Sequence, residues 1–258
     1  MEARDYRSLL VDASDGVATL TMNVPERKNP LGPAMVNELL YALDDAKDDD
    51  AVRVVVLTGA GNAFSAGGDL KQMRAGEGLA PKGDFLDLLL RFRDLGKPTI
   101  ARVPGHCYGG GLGIVAACDF AIACESAKLG TPEVKRGIFP MMIMALLQNL
   151  VPRRELMRMM LVGERMSATE AQRVGLVGEV VPDDALDAAT AELAATLAAQ
   201  SPTAIRMGLR AFHRQAALPL DEALPYLREQ LFAILGTEDA REGLKAFVEK
   251  REPVWTGR

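Results

Sequence analysis

Gly105-His106-Cys107-Tyr108-Gly109-Gly110-Gly111-Leu112-Gly113 follows the apolar run Thr99-Ile100-Ala101-Arg102-Val103 and leads directly into Ile114-Val115-Ala116-Ala117-Cys118. The first run reads as a strand and the last as a buried helix, so the glycines form a strand-to-helix turn. Glycine has no Cβ and tolerates positive φ, which lets main chain approach a ligand closely. At a helix start the first N–H groups lack intrahelical acceptors, and the macrodipole is positive there. A second turn of this kind, Ala63-Phe64-Ser65-Ala66-Gly67-Gly68-Asp69-Leu70, follows the apolar run from Val52 to Leu57. Two such turns facing each other would offer two N–H donors to one oxygen that becomes negative during a reaction, which is an oxyanion hole.

Outward from these turns, strand and helix patterns alternate. Val17 to Val24 reads as a strand. Leu31 to Lys47 reads as a helix, with Val36, Leu39, Leu40, Leu43 and Ala46 on one face. Arg74 to Gly83 holds three glycines and a proline and reads as a mobile loop. Asp84 to Leu95 is a helix closed by Gly96, and Phe120 to Cys124 is a further strand. This order implies crossovers in one sheet with helices outside it. The second half turns helical over Met142–Leu150 and Arg153–Leu161. Ser167-Ala168-Thr169-Glu170 forms a capping box for the next helix, and Val177 to Val181 is a strand. Helices follow over Asp184–Ala199, Pro202–Ala217, Leu220–Leu235 and Asp239–Glu249. Ser201-Pro202 supplies an N-cap and a proline at the first helical position. The expected division is an α/β core over 1–200 and a helical C-terminal region over 201–258.

The chain has 258 residues, enough for a sizeable core, with 48% hydrophobic and 25% charged residues, as in ordinary soluble domains. A net charge of −5 argues against a general nucleic-acid binder. The opening Met1-Glu2-Ala3-Arg4-Asp5-Tyr6-Arg7 lacks the apolar core of a signal peptide. No apolar run reaches the roughly 18 residues of a membrane span. Cys107, Cys118 and Cys124 match no metal framework and read as reduced thiols, so a cytoplasmic location is expected. With His106 and His213 as the two histidines, a histidine-rich metal site is excluded.

The two glycine turns resemble the crotonase superfamily, the enoyl-CoA hydratase/isomerase family. So do Gly130-Thr131-Pro132-Glu133, the stretch Gly163 to Ala171 (GERMSATEA), Pro25 to Leu31 (PERKNPL) and Glu242 to Arg251 (EGLKAFVEKR). The matches are collinear and span almost the whole chain. The resemblance implies a crotonase (ClpP-like) α/β fold of repeated ββα units with a helical C-terminal trimerisation region. It also implies an acyl-CoA thioester substrate whose enolate is held by the Gly68 and Gly110 N–H groups. Such donors act because the thioester oxygen gains charge only when the α-proton leaves. Coenzyme A would arrive as part of the substrate, with no separate cofactor and no metal. The implied assembly is a homotrimer or a dimer of trimers, with no nucleic-acid or membrane partner.

Glu133 is the acid/base candidate, since a carboxylate facing an apolar acyl chain has a raised pKa suited to proton shuttling. The sequence departs from the family's hydratases at Gly113, where those enzymes carry a second glutamate that helps position water. A single glutamate suffices to move a double bond and resembles the family's Δ3,Δ2-enoyl-CoA isomerases. Hydration is the alternative reading, with Glu77, Asp84 or Asp87 as stand-ins for the absent carboxylate. A catalytically weak acyl-CoA-binding homologue is another. Met141 stands where family hydrolases and dehalogenases that use an acidic residue would place it. Met141 and Met142 are expected to line the acyl pocket, with Tyr108 shaping it and His106 structural. Lys28, Ala66, Phe247 and Lys250 are the implied coenzyme A contacts, the last two in some relatives from a neighbouring subunit. Asp69 is expected to cap the turn after it.

Overall fold

The computed structural model describes residues 1–2, 4–69 and 79–258. Strands β1 (Leu9–Ser14) and β2 (Val17–Met22) form an antiparallel hairpin. Its two-residue turn, Asp15-Gly16, has positive φ at both positions, the conformation that matches strand twist in tight hairpins. Helix α1 (Pro33–Asp48) starts with proline at its first position and buries Leu39, Leu40 and Leu43.

A unit of long strand, short strand and helix then repeats. Its first copy is β3 (Val54–Gly59), β4 (Ala63–Ser65) and α2 (Phe85–Asp94). The second is β5 (Thr99–Val103), β6 (His106–Tyr108) and α3 (Gly110–Ala117). The third is β7 (Phe120–Cys124), β8 (Lys128–Gly130) and, after a 3-10 turn at Pro132–Arg136, α4 (Met141–Leu147). Next come α5 (Arg153–Val162), β9 (Arg165–Ser167), α6 (Ala168–Arg173), β10 (Glu179–Val181) and α7 (Leu186–Ala198). Helices α8 (Pro202–Gln215), α9 (Leu220–Leu235) and α10 (Glu238–Glu249) complete the chain.

The long strands build a sheet in the order β1-β2-β3-β5-β7-β10, parallel from β2 onward. All six residues of β3 are buried, because both its faces are covered. Val55 and Leu57 belong to the main core with Leu39, Leu40 and Leu43 of α1, and Val54 and Val56 pack with Ile100 and with Ala194 of α7.

The short strands build a second sheet, β4-β6-β8-β9, in which β4, β6 and β8 run parallel and β9 antiparallel to β8. This corrects the expectation of one sheet. Strands of three residues carry no measurable alternation, and each follows its long strand after a turn, so the pair reads as one strand plus a loop. The capping box on α6 is present in both halves: Ser167 accepts from the Glu170 N–H, and Glu170 accepts from the Ser167 N–H at 2.8 Å. Ser201 likewise caps α8.

The C-terminal tail folds back onto the helices. Buried Asp239 accepts from the Ser201 hydroxyl at 2.8 Å and from the Thr256 and Gly257 N–H groups at 2.8 and 3.1 Å. The Trp255 indole N–H donates to the Ala199 carbonyl at 2.8 Å. Arg251 forks onto Glu242. Helices α8–α10 leave Phe212, Leu224, Phe232 and Phe247 outside the core, at 62, 58, 65 and 84% exposed. Among the described residues, no helix is long and apolar enough to cross a membrane.

Candidate active site

The smaller sheet sets three turns side by side. β4 ends at Ser65 and delivers Gly67 and Gly68; β6 ends at Tyr108 and delivers Gly109 and Gly110; β8 ends at Gly130 and delivers Pro132 and Glu133. Because β4, β6 and β8 are parallel neighbours, their carboxyl ends open on one edge, the usual place for a ligand in a parallel sheet. Gly68, Gly110 and Glu133 all line one cavity of about 280 Å3 there. A larger cleft, of about 540 Å3, lies between Lys47, Arg93 and His213 and holds none of these residues.

Each turn is fixed by its neighbours. Gly67 has φ +90°, and a Cβ on it would stand 2.8 Å from the Tyr108 carbonyl oxygen and 3.3 Å from the Gly110 nitrogen, so the two glycine turns touch. Fully buried Asn29 staples the first turn: its amide donates to the Ala60 and Ala63 carbonyls at 3.0 and 2.8 Å and accepts from the Val24 N–H at 2.9 Å. Its carbonyl accepts from the Ser65 hydroxyl at 2.7 Å, and that hydroxyl accepts from the Gly67 N–H. Both Asp69 carboxylate oxygens accept from Arg27 Nη2, at 2.8 and 2.7 Å, closing the same loop pair. The turn that Asp69 was expected to cap, and Glu77, lie outside the described residues.

The two amides are arranged as donors. Leu31 pairs with Gly68 as a parallel bridge, through the Leu31 N–H to the Gly67 carbonyl and the Asp69 N–H to the Leu31 carbonyl. In that pattern the N–H of Gly68 points away from Leu31, since successive amides of extended chain face opposite edges. Gly110 is the first residue of α3 and therefore has no intrahelical acceptor. Neither N–H has a main-chain acceptor among the described residues.

Glu133 faces these amides from the 3-10 turn. Its Oε1 stands 2.8 Å from where a Cβ on Gly109 would be, and Gly109 has φ +54°, so only glycine leaves room for the carboxylate. Oε2 is buried and accepts no hydrogen bond among the described residues. Burial pushes the Glu133 carboxyl above the ordinary carboxylate range, against its own main-chain N–H and the charge of Arg136, which both pull it down. A buried, unsatisfied carboxylate in an apolar cavity is costly for folding and marks a functional group.

The space beside Gly113, where the resemblance implies a second carboxylate in hydratases, is filled. A Cβ on Gly113 would stand 2.3 Å from Ile143 Cγ2 and 3.5 Å from Phe85 Cζ. Asp84 and Asp87, offered as replacements, are instead spent on the start of α2. The Asp84 carboxylate accepts from the Leu86 and Asp87 N–H groups, and Asp87 accepts from the Asp84 N–H.

The other sequence candidates separate. Ala66, Met141 and Met142 line the cavity. Tyr108 does not: its hydroxyl meets His106 Nδ1 at 3.2 Å and Arg165 lies 4.7 Å over its ring, because a short strand turns alternate side chains to opposite faces and the cavity receives the next residue's main chain. Lys28 is exposed and left-handed at φ +59°, and its carbonyl accepts from the Ala66 N–H at 2.7 Å. Phe247 and Lys250 lie on α10 and at its end, and neither lines the cavity. Sequence reasoning missed Asn29, Phe85, Arg136 and Ile143; Asn29 alone left a signal, inside the quoted PERKNPL stretch.

The profile of the enoyl-CoA hydratase/isomerase family matches residues 12–258. The chain is 36% identical over 255 residues to the probable enoyl-CoA hydratase echA8 of Mycobacterium bovis, covering 98% of this chain and 99% of that one. It is 40% identical over 243 residues to the carnitinyl-CoA dehydratase of Salmonella heidelberg, covering 89% and 92%. Among solved structures, an enoyl-CoA hydratase/isomerase from Mycobacterium paratuberculosis superposes with a TM-score of 0.90 at 33% identity, covering 98% of this chain and 100% of that one. An enoyl-CoA hydratase from Mycobacterium smegmatis gives 0.89 at 34% identity, covering 96% and 99%. Likeness of this extent, in sequence and in the arrangement of both sheets, makes the chain a member of the enoyl-CoA hydratase/isomerase family, with the crotonase fold.

Proposed function

We propose that this protein moves the double bond of an enoyl-CoA thioester from the 3 to the 2 position. Glu133 takes a proton from the α-carbon and returns it to the γ-carbon. Meanwhile the thioester oxygen, negative in the enolate, lies between the Gly68 and Gly110 N–H groups. The observation that carries the choice of isomerisation over hydration is the filled position beside Gly113. Ile143 and Phe85 occupy the space from which a second carboxylate would hold water.

Hydration of a 2-enoyl-CoA is the second reading, favoured by the names of the relatives, most of which are hydratases or dehydratases. The two readings separate when 3-enoyl-CoA and 2-enoyl-CoA are offered apart in isotopically heavy water. Rapid 3-to-2 conversion with no oxygen taken from water is expected, and efficient 3-hydroxyacyl-CoA formation would reverse the order.

In this reading coenzyme A enters as part of the substrate. Lys28 and the Ala66 main chain receive its nucleotide end. The exposed Phe247 and Lys250 of α10 reach the site of a neighbouring subunit in a trimer or dimer of trimers, covering the apolar faces of α8–α10. The location in this reading is cytoplasmic.

A further inference from the structure

Among the described residues that line the candidate cavity, Arg136 is the one cation; its charge lowers the Glu133 pKa, but it has no place in the proton path itself. It follows Glu133 by three residues in the 3-10 turn Pro132–Arg136. In such a turn residues three apart eclipse each other, about 6 Å along the axis, so both side chains share one face. Its guanidinium forms no ion pair or hydrogen bond among the described residues. The guanidinium is exposed at the edge of the cavity, and its five donors match an anionic oxygen pair, which such a fork binds bidentately.

The segment that bears Arg136 continues as the apolar wall of the cavity through Ile138, Met141 and Met142. The implied nucleotide end is assigned to the turn that carries Gly68, where the Ala66 N–H donates to the Lys28 carbonyl, whereas Arg136 sits on the turn that carries Glu133. A ligand that places its α-carbon at Glu133 and runs along the methionine wall passes Arg136 with its acyl chain.

We propose that Arg136 selects acyl thioesters whose acyl chain carries a carboxylate several atoms beyond the reacting carbon. This rests on reading the cavity as an acyl-thioester site. A guanidinium–carboxylate contact at the exposed rim of a cavity with apolar walls favours the acid-bearing chain, whereas an equal chain ending in methyl gains no such contact and leaves the guanidinium to water.

The test uses matched saturated thioesters of coenzyme A, equal in carbon number and ending in methyl or in carboxylate, with binding read by calorimetry. Binding of these non-reacting thioesters does not depend on which reaction Glu133 performs, so failure of the isomerase reading leaves this measurement intact. The protein is expected to bind the carboxylated thioester about tenfold more tightly. Arg136→Leu removes that preference while leaving the methyl-ended affinity unchanged, and Arg136→Lys restores part of it. With the corresponding enoyl thioesters the substitution raises KM for the acidic substrate alone, while kcat for both substrates shifts together because the Glu133 carboxyl loses the charge of Arg136. Three outcomes would overturn the proposal. Arg136→Leu could weaken both thioesters equally; its effect could vanish when the handle is shortened to pantetheine, which would assign the guanidinium to the coenzyme A phosphates; or the unsubstituted protein could show no preference.

Discussion

Glu133 Oε1 occupies the space that a side chain on Gly109 would need, and its Oε2 is buried without a donor. The carboxylate thus gives up solvation when charged and regains it as the acid. Since its folded-state pKa is raised, Glu133 supports folding in its protonated form, and that contribution is lost as pH rises through the raised value. Glu133→Gln is therefore expected to raise Tm at neutral pH and to lose that advantage near pH 4.5, the ordinary glutamate value. The same variant is expected to lower kcat by about 10²- to 10⁴-fold on every enoyl-CoA tested. In the unsubstituted enzyme the acid limb of kcat/KM should lie above the ordinary carboxylate range, because the base is lost when Glu133 protonates. Gly113 admits a simpler test. A methyl group there meets Ile143 Cγ2, so Gly113→Ala should destabilise the fold by about 1–3 kcal/mol in denaturant titration. Pairing it with Ile143→Ala should recover part of that loss, since contacting residues couple.

At the level of elements, the site is a product of the smaller sheet, and that sheet was not legible in the sequence. The long strands were read to within two or three residues, because buried parallel strands are continuous apolar runs. The helical cores and the Ser167 box were read as well, through periodicity and fixed capping offsets. Strands β4, β6, β8 and β9 escaped, each being three residues of mixed polarity held by neighbours far along the chain. The edge strand β1 escaped too: its large apolar residues are the short run Leu9-Leu10-Val11, which neither alternates nor extends through the strand, and five of its six residues are not buried. The glycine turns announced donors, and the family resemblance supplied Glu133. The fit of Ile143 into the space beside Gly113 depends on α3 meeting α4, which no local pattern encodes. Asn29 joins these scales, since one amide binds the Val24, Ala60 and Ala63 main chain and supports the turn that carries Gly68. Asn29→Ala leaves buried main-chain groups unpaired and should cost about 1–3 kcal/mol in stability. A fall in kcat without a matching rise in KM would accompany it, the donor at Gly68 being displaced.

For the whole molecule, the apolar residues divide into a closed core under the larger sheet and an open face on the C-terminal helices. Exposed side chains of this size on α8–α10 exceed what single scattered surface residues explain. In the trimeric reading they are covered by sister subunits. Replacing Leu224 and Phe232 by Glu is then expected to yield monomers in sedimentation velocity. Loss of activity should accompany dissociation if α10 completes a neighbouring site, and wild-type mass with full activity would refute both parts. The tail that closes this region is governed by charge. The Arg251 fork and the Val254 N–H hold Glu242 down to about 2. The ordered tail is therefore stable above the ordinary glutamate range and released as pH falls toward that value. Trp255, the one tryptophan of the chain, sits in that tail with its indole on the Ala199 carbonyl and its ring edge against Gly243. Its fluorescence is thus a built-in spectroscopic signal for seating of the C-terminus. A red shift on acidification, arriving before the loss of far-ultraviolet circular dichroism, would record undocking of this segment ahead of global melting.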